Sequence, residues 1–116
     1  MRRQKTYSAQ SGYVYQYFYE GQRPVARDRQ AGTEFVFEVS AARKDPFPVS
    51  VFLSEAAVAS WQQRHSHDLT STERYAIAKM ALFQAFDERR TPYEMREEVR
   101  LRAADVEAIL ETLGIE

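Results

Sequence analysis

The sequence predicts an α+β domain: a small antiparallel sheet of three N-terminal strands plus a short fourth, packed on two to three helices in the order β-β-β-α-α-(β)-α. Three observations carry this. Thr33 to Ser40 (TEFVFEVS) alternates, with Phe35, Phe37 and Val39 on one face and Glu34, Val36, Glu38 and Ser40 on the other, which is the period of a half-buried strand. Leu69 to Arg90 is the longest apolar run at helical period, and Thr70-Ser71-Thr72-Glu73 opens it with the residues of a capping box. Val106, Ile109, Leu110 and Leu113 then hold the i, i+3, i+4, i+7 stripe of a second amphipathic helix.

Residues 1–12 (MRRQKTYSAQSG) are polar, basic and without period, and read as a flexible tail ahead of a single domain over 13–116. From Tyr13 the text becomes YVYQYFYE, an extended stretch with Tyr13, Tyr15, Tyr17 and Tyr19 on one face. Gly21 ends it. The segment from Gly21 to Gly32, with Pro24 and three arginines, reads as a protruding basic loop because guanidinium groups resist burial. The TEFVFEVS strand follows, and then ARKDPFP, where Pro46 and Pro48 exclude helix. Val49, Val51 and Leu53 point one way along a third strand, Ser50 and Phe52 the other.

Ser54 has the residue type of an N-cap for a short helix whose apolar side is Ala57, Val58 and Trp61. His65-Ser66-His67-Asp68 breaks that helix, and the long one follows. On a wheel Tyr75, Ala78, Leu82, Ala85 and Phe86 form one face, while Ala76, Met80 and Phe83 extend it, so this helix needs cover on more than one side. Thr91-Pro92-Tyr93-Glu94 signals another helical start. From Glu97 to Arg102 the chain alternates as a polar-faced edge strand, although Met95, Val99 and Val106 also fit one continuous helix; the strand is the favoured reading. Gly114 and Ile115 suit a left-handed helix ending with its hydrophobic contact.

With 116 residues, 44% of them hydrophobic, the chain is long and apolar enough for one cored domain rather than a disordered segment. The absence of cysteine excludes disulfides, thiolate metal sites and cysteine nucleophiles. No run has the length of a membrane span and no signal-peptide pattern opens the chain, so a soluble, cytoplasmic, bacterial protein is expected. Residues 1–30 carry six Lys/Arg against two acids, and residues 31–116 carry ten against fifteen. The basic third (Arg2, Arg3, Lys5, Arg23, Arg27, Arg29) therefore meets an acidic partner, a nucleic acid, or the acidic body of its own fold.

His65, His67 and Asp68 have metal-ligand residue types, with Glu73 nearby, but no further histidine or cysteine completes a set, so a polar interhelical turn is preferred. Thr70-Ser71-Thr72 could face a phosphate at a helix N-terminus; without a glycine-rich approach loop, capping accounts for it better. No nucleophile elbow or ordered triad is legible, and Asp87-Glu88 and Glu97-Glu98 sit among arginines as solvated charges. An enzyme is not expected, nor any cofactor. The expected function is a non-enzymatic binding or assembly domain, homodimeric or part of a complex, with Tyr13, Tyr15, Tyr17, Tyr19, Phe52, Phe83 and Phe86 as interface candidates. Single-stranded nucleic-acid binding through the tyrosines and the basic third is the alternative, and metal binding at the His-x-His-Asp turn the second alternative.

Overall fold

The computed structural model describes residues 3–116. Strands β1 (Lys5–Ser8), β2 (Val14–Arg27), β3 (Gln30–Ala41) and β4 (Phe47–Ser54) form an antiparallel meander. Helices α1 (Glu55–His65) and α2 (Ser71–Glu88) and a 3-10 turn (Glu94–Arg96) cross over to β5 (Val99–Leu101), which joins β4 in parallel; helix α3 (Ala103–Leu113) follows. The spatial order is β1-β2-β3-β4-β5, so the α+β architecture holds with five strands rather than four. No helix among the described residues is long and apolar enough to cross a membrane.

The helices take the face marked by Phe35, Phe37, Val39, Val49, Val51 and Leu53, and these bury against Trp61, Ile77, Leu82, Phe86, Ile109 and Leu110 in one core. Local chemistry sets the helix starts. Ser54 Oγ accepts the Ala57 N–H at 3.1 Å. Thr70 and Glu73 make the reciprocal capping box, at 3.1 Å and 2.9 Å. At the chain's end Gly114 takes φ 76°, and the Ile115 N–H reaches the Leu110 carbonyl at 2.9 Å, a Schellman closure.

Two expectations are corrected. Lys5–Ser8, assigned to a flexible tail, pair as an edge strand with β2, and the pairing is fixed from a distance: the Tyr7 hydroxyl donates to Asp87 on α2 at 2.6 Å. That bond to a carboxylate, helped by burial and the Asp87 charge, pushes the Tyr7 pKa up to about 12. Met1 and Arg2 lie outside the described residues. The expected basic loop at 21–32 is instead the far half of a long hairpin, closed by the two-residue turn Asp28-Arg29 at φ 51° and 68°.

Alternation missed this because a β-bulge between Tyr19 and Gly21 shifts the register by one residue. Before the bulge the odd-numbered residues face the helices; after it the even-numbered ones do. Pro24 is tolerated because β1 reaches only as far as Tyr17, leaving this part of β2 on the sheet edge among the described residues.

Candidate functional site

The phase shift places Arg23 and Arg27 on the sheet face away from the helices, beside Glu34. Arg23 bonds Glu34 at 2.7 Å, and Arg27 bonds Glu34 at 2.8 Å and Glu98 at 3.1 Å. Arg100 continues the network to Glu98 and Asp28. Burial raises the Glu34 pKa, but hydrogen bonds and charge from Arg23, with Ser50 and Arg27, outweigh it and hold the carboxyl below its ordinary value. Arg27 also lies over the Phe52 ring, 5.9 Å from its centroid. Phe52 in turn covers Gly32, where an added Cβ would come within 2.6 Å of the ring and of the Leu53 carbonyl. Of the nucleic-acid candidates, Arg23 and Arg27 are thus tied into the fold, Lys5 lies on β1, and Arg29 sits at the hairpin tip with no carboxylate partner among the described residues.

The tyrosine strand faces inward. Tyr15 stacks on Phe86 at 4.3 Å, Tyr17 meets Phe83 edge-on at 5.6 Å, and Tyr19 meets Tyr75 at 4.8 Å. Of the interface candidates, Tyr15, Tyr17, Phe52 and Phe86 are buried within the chain, and Tyr19 and Phe83 are half-buried, the latter stacked on Tyr7. As interface groups those four buried rings are corrected: they are covered by their own fold. Tyr13 remains at the surface.

The histidine turn divides its two imidazoles. His65 Nε2 faces Glu107 at 2.7 Å, whereas His67 Nε2 faces Glu73 at 3.2 Å and its Nδ1 faces the Glu116 carbonyl at 2.9 Å. Trp61 lies between them, stacked on His65 and edge-on to His67. The bond to Glu73 raises the His67 pKa. No group of three or more His, Cys, Asp or Glu among the described residues could hold a metal ion. Thr70 serves as cap, as its residue type suggested.

The exposed large apolar side chains of the described residues are Tyr13, Val14 and Tyr93, the last 79% exposed. They gather at one end of the molecule. There the β3–β4 turn and the Thr91–Arg96 segment enclose a cleft of about 330 Å³, lined by Tyr13, Phe47 and Tyr93 with Lys44, Asp45 and Arg96. Arg89 shapes one wall, donating to the carbonyls of Glu94 at 3.0 Å and Glu97 at 2.6 Å. The Glu94 carboxylate folds back onto the N–H groups of Arg90 and Thr91, at 2.8 and 3.2 Å. The Arg96 guanidinium lies over Phe47, 4.3 Å from the ring centroid, which holds a cation on the floor of the cleft. On the opposite wall Ala42 and Arg43 take left-handed backbone at φ 55° and 58°.

Below the cleft, the buried Tyr15 hydroxyl makes no hydrogen bond among the described residues. Burial, and then the charges of Tyr13 and Glu94, raise its pKa against an opposing Arg89. An open trough of about 560 Å³ also follows the bulge, but its arginine, Arg23, is already paired. Sequence reasoning missed Lys44, Tyr93 and Arg96 as site residues. The available signal was an aromatic in each of two turns flanked by Lys or Arg, ARKDPFP and RTPYEMR. No protein-family model, curated protein or solved structure matches the chain.

Proposed function

We propose that this chain is a non-enzymatic binding domain that recognises a segment of a protein partner in the cleft between the β3–β4 turn and the Thr91–Arg96 segment. The observation that carries the reading is the convergence of Tyr13 and Tyr93 on one cleft while the rest of the tyrosine strand is spent on the core. Exposed aromatic rings bring large contact area at low entropic cost, which favours protein interfaces. A second copy of the chain as partner is the homodimeric form of the same reading.

The test is a photo-reactive phenylalanine analogue placed at Tyr93 in the producing cell, with the same group at exposed Gln63 on α1 as control. The expected result is a protein adduct from position 93 that weakens when Tyr13→Ala is added. An equal yield from position 63, or no adduct at all, would overturn the proposal. Light scattering on the purified chain, with and without Tyr93→Ala, identifies a self-adduct.

A further inference from the structure

We propose that the cleft's occupant is an acidic segment: an extended peptide of a partner protein with carboxylates flanking an aromatic or apolar residue. This rests on the binding-domain reading and specifies its partner. Folding leaves cationic charge unpaired beside this cleft. Arg23, Arg27, Arg64, Arg74, Arg100 and Arg102 each have a carboxylate partner within the fold. Arg43, Lys44, Arg90 and Arg96 are exposed, and none has a carboxylate partner among the described residues.

Lys44 and Arg96 line the cleft, Arg43 is next to Lys44 on the β3–β4 turn and Arg90 immediately precedes the Thr91–Arg96 segment, although the chain as a whole carries a net charge of -1. Two acids temper the field. Glu94 is turned into backbone N–H groups, and Asp45 sits on the cleft lining among the cations. What remains is a cationic rim around two exposed tyrosine rings and an Arg96 already seated over Phe47. A guanidinium fixed in this way retains its N–H fork for a carboxylate and loses less side-chain entropy on binding one.

The experiment uses the full chain and fluorescence anisotropy with three labelled probes. These are a short Glu/Asp peptide with a central tyrosine, the same peptide with every acid replaced by Lys, and an oligo-thymidylate of matching length. The acidic peptide is expected to bind, with affinity falling as salt rises from about 0.05 to about 0.2 M. The double variant Arg43→Glu/Lys44→Glu, which touches only the turn, and separately Arg96→Glu, should each weaken it about tenfold. Arg29→Glu makes the same charge change as Arg96→Glu, at the far hairpin tip, and should leave binding unchanged. Equal binding of the Lys peptide, or an equal loss from Arg29→Glu, overturns the proposal. Tighter binding of the oligo-thymidylate through the same residues also overturns it, in favour of a nucleic acid. If no probe binds while the Tyr93 adduct still forms, the acidic partner is refuted and the binding-domain reading survives.

Discussion

Replacing Glu34 by Gln asks whether the outer-face ion network holds the long hairpin in place. The Glu34 side chain is 5% exposed, and its partners Arg23 and Arg27 are 71% and 27% exposed. Removing one partner of a fully buried pair costs roughly 3–5 kcal/mol. Here both arginines can regain water, and Gln keeps one acceptor for them, so about 2 kcal/mol is expected for Glu34→Gln. Arg23→Ala, at the wet end of the network, should cost only about 0.5 kcal/mol. At this chain length 2 kcal/mol corresponds to a fall in Tm of about 8 °C.

Urea unfolding of the three proteins at neutral pH measures the difference, and its pH dependence provides a second check. The folded-state pKa of Glu34 is lowered, so its contribution is present above the ordinary value of 4.5 and lost as pH falls through the folded value. The gap between wild type and Glu34→Gln should therefore close in acid. A gap no larger than that of Arg23→Ala, or one that persists unchanged after Glu34 has been protonated, would refute the reasoning.

Three further outcomes are expected. Tyr15→Phe removes a buried hydroxyl that makes no hydrogen bond among the described residues, so it should be neutral or stabilising by up to about 1 kcal/mol in urea unfolding; a clear loss would show that the hydroxyl has a partner. Gly32→Ala sets a methyl group against the Phe52 ring and the Leu53 carbonyl, so a loss of about 1–3 kcal/mol is expected, and Phe52→Leu in the same chain should recover part of it. In an NMR titration His67 should lose its proton above the ordinary value of 6.5, chiefly because Glu73 bonds the imidazolium, and Glu73→Gln should bring the midpoint down. The sign follows from linkage: any stability from this pair is present below 6.5 and lost as pH rises through the raised folded value.

The elements legible in the sequence are those set by neighbouring residues. Caps act over three or four positions, so the Thr70–Glu73 box and the Gly114 ending could be read directly. The alternation of β3 and β4 persists because one face is buried along both strands. β1 was not legible: KTYS is too short to show a period, and its anchor, Asp87, lies 80 residues from Tyr7 in sequence. The candidate site was hidden for a similar reason. Its walls are two turns about 45 residues apart that only the finished sheet brings together, and the Lys/Arg-flanked aromatic in each shows nothing of the other.

The bulge after Tyr19 connects fold and function. Without that register shift Arg23 would sit opposite Thr33 with its side chain on the helix side of the sheet, as would Arg27, away from Glu34 and Glu98. With it, both arginines turn outward, where Glu34, Glu98 and the Phe52 ring receive them. Two of the three arginines in this stretch, Arg23 and Arg27, are thereby paired within their own fold. A count of charges along the chain points to this hairpin as the surface for an anionic partner. After pairing, Arg29 is left alone at the hairpin tip, whereas at the opposite end of the sheet Arg43, Lys44, Arg90 and Arg96 together have no carboxylate partner among the described residues. The charge available to a partner is the charge that folding has not already satisfied.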